Sequence, residues 1–153
     1  MKLISMKSSS GKYLPLKIKH RCQCGTKVLI EDTGDIFFIR KSYMDNHVPQ
    51  FGYLCPNCEQ TCELSDWQNF RISRKMKRNG INLEKYEDVC DHISDEFEFY
   101  AFKKAFGEID GHTLVTYLKS HGLNERMKYI IDNSLPIPKG IQDLILSGEL
   151  IID

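Results

Sequence analysis

Apolar and polar residues alternate through Tyr13-Leu14-Pro15-Leu16-Lys17-Ile18-Lys19, the two-residue period of a strand with one buried face. Pro15 lacks an N–H and points to an edge position. Lys27-Val28-Leu29-Ile30-Glu31 is a second strand-like run and Ile36-Phe37-Phe38-Ile39 a third. Asp32-Thr33-Gly34-Asp35 lies between these two and has turn chemistry, so the pair predicts a hairpin. Phe51-Gly52-Tyr53-Leu54 reads as one more strand. Beyond Leu64 the apolar spacing changes to three and four residues, the period of a helix. Ser65 is placed to cap a helix that runs to about Arg78 and closes at Gly80. Asn82 caps a second, with Leu83, Tyr86, Cys90 and Ile93 on its stripe, and Ser94 a third, with Phe99, Phe102 and Phe106. Leu114, Val115 and Leu118 mark a fourth that ends at Gly122. Asn124 caps a fifth, carrying Met127, Ile130 and Ile131 up to the break at Pro136. Pro138 suits the first turn of a last short helix with Ile141, Leu144 and Ile145. The expected fold class is α+β: a small β module followed by a bundle of four to six short helices.

Charge sharpens the division. Residues 1–80 hold 14 Lys and Arg against 7 Asp and Glu, and residues 81–153 hold 7 against 14. Opposite surfaces on the two halves predict four parts: a flexible tail over 1–12, the β module over 13–64, a basic connecting helix over 65–80 and an acidic helical domain over 81–153. No apolar run approaches the roughly 18 residues that a membrane span needs. The polar, Ser-rich start has neither an apolar stretch nor a cleavage site of a secretion signal. The expectation is a cytoplasmic protein without membrane contact.

Without such a signal, six cysteines argue against a disulfide framework. Four of them sit in two close pairs, Cys22 with Cys24 and Cys55 with Cys58, as zinc ligands do. In Cys22-Gln23-Cys24-Gly25, Gly25 permits the positive φ that a tight turn often needs. In Cys55-Pro56-Asn57-Cys58, Pro56 stiffens the turn. Four thiolates in a tetrahedron suit one structural Zn2+ and leave no open coordination position. Cys62 is the main rival ligand, with His20 and His47 behind it; the expectation for Cys62 is a strand residue packed beside the site. Cys90 lies on an apolar stripe and is expected in the core.

Two cysteine knuckles about 30 residues apart with a β-hairpin between them resemble the zinc-ribbon superfamily over residues 13–64. The resemblance implies a scaffold that contacts DNA, RNA or polymerase subunits, as many members do in transcription and replication. A local feature agrees. Arg71, Arg74, Lys75 and Arg78 recur at helical spacing and share one face, with Trp67, the only tryptophan, one turn earlier. Guanidinium groups beside an aromatic ring suit phosphate contact and base stacking. The alternative is a solvated charged face with Trp67 folded into the junction between the two halves. Lys17, Lys19, Arg21, Lys27, Arg40 and Lys41 add positive charge around the module.

The expectation is therefore a nucleic-acid-binding regulator of transcription or replication, its target DNA or RNA. The alternative is a protein–protein adaptor working through the acidic helical part. Two short helices joined at Gly122-Leu123 also resemble a helix-turn-helix, in acidic surroundings that argue against groove binding. Met44-Asp45-Asn46-His47-Val48-Pro49, ahead of the second cysteine pair, is similar to the core of HNH nucleases. That resemblance implies His47 as general base and Asp45 as a metal ligand. After Cys58, however, only Asn69 and His92 come near the place of that family's second metal ligand. No phosphate-cradling glycine loop or nucleophilic constellation is present, so the expectation is a non-enzyme with no small-molecule substrate. The small size and Lys/Glu/Ile/Asp-rich texture are similar to those of phage-encoded accessory proteins.

Overall fold

The computed structural model describes residues 13–41 and 48–151; the tail expected over 1–12 lies outside them. β1 (Pro15–Arg21) and β2 (Lys27–Asp32) pair antiparallel as a two-stranded sheet. Ile18, Val28 and Ile30 are buried while Lys17, Lys19 and Lys27 are exposed, as the alternation predicts. The register slips between Pro15 and Ile18, where Lys17 takes a φ of 59°. Such a bulge bends the strand away from its partner at the edge.

The hairpin expected across Asp32–Asp35 does not form. Thr33–Asp35 is a single 3-10 turn. The Asp32 carboxylate accepts from the Gly34 amide at 2.9 Å, and the Asp35 carboxylate accepts from the amides of Glu31 and Asp32 at 2.9 and 3.3 Å. These bonds occupy donors that a ladder would use and send the chain into another sheet. There β3 (Phe37–Arg40), β4 (Gln50–Leu54), β5 (Thr61–Glu63) and β6 (Ile137–Pro138) lie in the order β5-β4-β3-β6. The first three run antiparallel, and β6 joins β3 in parallel from about 100 residues further along the chain.

Five helices complete the α+β fold: α1 (Asp66–Arg78), α2 (Leu83–Ala105), α3 (Gly111–Ser120), α4 (Leu123–Asp132) and α5 (Lys139–Leu146). Ser65 and Gln68 form a capping box on α1, and Asn82 caps α2. Ser94 begins no helix. The inward stripe of α2 runs on from Ile93 through Phe97 and Ala101 without a break, so nothing interrupts the helix there. Asn124 lies within the first turn of α4, which follows directly on Gly122 in a left-handed conformation, φ 85°. Pro138 stands one place earlier than expected, as the N-cap of α5.

One hydrophobic cluster runs through both halves of the chain, from Ile18 and Phe51 to Met76, Tyr86, Met127 and Ile141. Buried hydroxyls tie the halves together. Thr33 donates to the Ser134 carbonyl at 2.6 Å and accepts from the Leu14 amide at 3.1 Å. Tyr86 donates to the Pro136 carbonyl at 2.6 Å.

Helix α1 is held against both sheets. The Gln68 side chain donates to the Lys19 carbonyl on β1 at 2.9 Å. Asn69, fully buried, accepts from the Phe51 amide on β4 at 3.0 Å and donates to Gln50 Oε1 and the Leu64 carbonyl at 3.0 and 3.3 Å. Asn69→Ala leaves these partners buried and unmet, which costs about 2 kcal/mol. For a chain of this size that lowers Tm by roughly 4–8 °C, to be read by calorimetry against the wild type.

Candidate metal centre

Each cysteine pair sits in the turn of a hairpin, the first between β1 and β2, the second between β4 and β5. In the first turn the Cys22 amide donates to the Thr26 carbonyl at 2.9 Å and the Gly25 amide to the Cys22 carbonyl at 2.8 Å; Gly25 has φ 93°. In the second, the Cys55 amide donates to the Gln60 carbonyl at 3.0 Å and the Glu59 amide to the Cys55 carbonyl at 2.9 Å. These short-range bonds fold each turn so that its sulfurs face the other turn.

The Sγ atoms of Cys22, Cys24, Cys55 and Cys58 all lie within 4.8 Å of one another. Cys22 and Cys58 are 3.5 Å apart, Cys24 and Cys55 3.8 Å. A tetrahedron with metal–sulfur bonds of ~2.3 Å has edges of about 3.8 Å, so the set fits one metal ion. Among the described residues this is the one group of side chains arranged in that way.

Backbone amides converge on the sulfurs and split their acidities. The Thr26 hydroxyl, 3.1 Å away, and then the Thr26 amide hold the Cys24 thiol down at about 6. The amides of Cys58 and Asn57 hold Cys55 below the ordinary thiol range. Cys22 is pushed up to about 11, chiefly by its hydrogen bond with Cys62. On Cys58 the Gln60 amide acts downward, but desolvation and the thiols of Cys22 and Cys55 outweigh it and leave it at about 12. Thiols of lowered and of raised pKa thus meet in one small volume, with protons held on the sulfurs of raised pKa. A divalent cation held by the four sulfurs would replace those protons and offset two of the four thiolate charges.

Of the rival ligands, His47 lies outside the described residues, His20 is engaged elsewhere and Cys62 touches the edge of the cluster. Cys62 is buried with its sulfur 3.0 Å from that of Cys22, beside the group of four, as expected. His20 Nδ1 meets the Tyr53 hydroxyl at 2.5 Å, and burial lowers the pKa of the imidazole. Tyr53 is fully buried, which raises its phenol pKa far above the ordinary value. Gly52 allows the close packing behind it, because a methyl group there would stand 2.7 Å from the Cys62 carbonyl oxygen. Cys90 is buried in the core, also as expected.

The cationic face of α1 is open. Arg71, Arg74, Lys75 and Arg78 line a groove of about 260 Å³ whose other wall is Pro15, Leu16 and Ile18 of β1. Trp67 is 67% exposed, which overturns the alternative that folded it into the junction. Its ring stacks on Phe70 at 5.9 Å with an interplanar angle of 23°. The Arg74 guanidinium lies 6.0 Å from the Phe70 ring centre. The spacing of the cations was legible in the sequence; Phe70 was missed, although it falls on the polar arc of the helix where an apolar residue is out of place.

Asp45 and His47, the residues of the nuclease resemblance, lie outside the described residues. Asn69 is fully occupied by its three core hydrogen bonds, and His92 sits on α2 with its Nε2 2.9 Å from Glu96. No helix among the described residues is long and apolar enough to cross a membrane.

Titration with a divalent metal is expected to saturate at about one equivalent and to release protons, those of the two sulfurs with raised pKa, Cys22 and Cys58, among them. Affinity falls as pH falls, because protons then compete for every sulfur. Cys62→Ser keeps the stoichiometry, and Cys55→Ser loses the metal. Calorimetry in buffers of different ionisation enthalpy and metal analysis of the purified variants read these outcomes.

Comparison of the chain with protein-family models, curated proteins and solved structures finds no match, so function is inferred from the cysteine cluster and the surface beside it.

Proposed function

We propose that the chain is a nucleic-acid-binding regulator of transcription or replication, built on a zinc-ribbon-like module with one structural Zn2+ held by Cys22, Cys24, Cys55 and Cys58. Zinc is the ion of choice because four thiolates at tetrahedral geometry suit it and disfavour the oxygen-seeking Mg2+ and Ca2+. Its four positions are all filled by protein, so the metal serves the fold, and the reading is of a binding protein rather than an enzyme.

The observation that carries the proposal is the groove of Arg71, Arg74, Lys75 and Arg78. Four cations lie along one concave surface that the acidic helices leave uncovered, and Lys17, Lys19, Arg21 and Lys27 stand exposed on the adjoining hairpin. Phosphates entering such a groove release condensed counterions, which makes binding favourable and dependent on salt.

A second reading has support of its own. Phe99, Phe102 and Phe106 are 57, 64 and 69% exposed along the end of α2. Aromatic rings set out in this way on an acidic helical region favour a protein partner, the adaptor role.

Binding to labelled oligonucleotides is expected to weaken steeply with salt, with a slope of roughly −3 in log–log form for four phosphate contacts. Arg71→Glu with Arg74→Glu is expected to reduce affinity at least about 10-fold and to flatten that slope. Fluorescence anisotropy reads both. No binding at low salt, with capture of a purified polymerase or replication subunit that Phe102→Ser abolishes, favours the adaptor instead.

A further inference from the structure

We infer that the α1 groove takes single-stranded nucleic acid, with the sugar–phosphate backbone along the arginines and an unpaired base on the Trp67–Phe70 stack. The inference rests on the nucleic-acid reading above and narrows it to one class of ligand.

On a helix turning ~100° per residue, Trp67, Phe70, Arg71, Arg74, Lys75 and Arg78 fall within an arc of about 140°. The buried residues Asn69, Ile72, Ser73 and Met76 occupy the opposite side. Trp67 and Phe70 therefore do not belong to the core stripe. They stand in solvent at 67 and 41% exposure, although burying either ring would be favourable. Their near-parallel stack fixes both rings and keeps a broad apolar face on the surface. Arg74, at the Phe70 ring, joins this platform to the groove.

The shape of the groove selects against a duplex. Its cations lie in a slot between α1 and the bulged strand β1, not on a projecting ridge. The cations line one wall of this slot, and Pro15 and Leu16 on the far wall offer apolar contact to sugars and bases. A duplex keeps its bases stacked inside and offers the rings no base face. A single strand offers one at each nucleotide, and any base serves because every base has a π-face. The site is thus expected to bind with little sequence preference.

Trp67 is the only tryptophan, so its fluorescence reports on this platform alone. The test titrates the full zinc-loaded chain with oligo(dT), oligo(U) and a duplex of equal length at one salt concentration. Expected are quenching of Trp67 by the single strands and affinity at least about 10-fold above that for the duplex. Trp67→Ala, an exposed position whose folding is checked by circular dichroism, weakens single-strand binding roughly 5- to 150-fold and leaves the salt slope unchanged. Trp67→Phe keeps most of the affinity. Equal or tighter duplex binding without quenching, and with Trp67→Ala neutral, overturns the single-strand inference while the nucleic-acid reading stands. Absence of salt-dependent binding to all three probes overturns both.

Discussion

A hairpin of two strands is marginal on its own in water, and β1–β2 is such a hairpin, paired to no strand of the larger sheet. What brings it to that sheet at its far end is the meeting of two turns, four sulfurs within 4.8 Å of one another. Thiols make weak hydrogen bonds and thiolates repel, so the meeting has little strength by itself. Filled with the proposed zinc ion, it becomes a cross-link between the two sheets. Structural zinc in small modules contributes on the order of 10 kcal/mol, enough to decide whether this one is folded.

With the proposed zinc ion in place, the groove depends on that cross-link. One wall is α1 and the other is β1, and neither alone has the concavity. Asn69 fastens the helix to β4 and Gln68 fastens it to β1. The helix therefore presents its cations correctly only while the hairpin stays in place. The acidic half is no separate ballast: β6 extends the sheet beside β3, and Thr33 and Tyr86 bind the stretch just ahead of it. In this account the metal acts on the ligand surface through geometry, without touching the ligand.

Local signals in the sequence were strong where short-range chemistry determined the outcome. The cysteine spacing pointed to the cluster, the Ser65 and Asn82 caps marked two helix starts, and the alternation around Ile18 gave β1. The errors have two origins, competing local hydrogen bonds and the influence of distant segments. Asp32–Asp35 has the composition of a hairpin turn, yet the Asp35 carboxylate bonds back to the amides of Glu31 and Asp32 and the chain crosses to the second sheet. Ser94 has the character of a cap, but an unbroken inward stripe carries α2 past it. β6 is two residues long and exists because β3 offers an open edge, which nothing in Ile137-Pro138 announces. On α1 the cations were readable from spacing, whereas the exposure of Trp67 and the pairing with Phe70 depend on what the rest of the chain leaves uncovered.

The central claim is that one metal ion at the four sulfurs holds the β1–β2 hairpin, and with it α1, in position. Amide hydrogen exchange of the full chain, before and after the metal is removed by a chelator, tests this most directly. The account predicts that protection falls first in both cysteine turns, in β1 and β2 and in α1, while the core of α2 exchanges more slowly. Unchanged protection in the β1–β2 hairpin and α1 after the metal has left would contradict it.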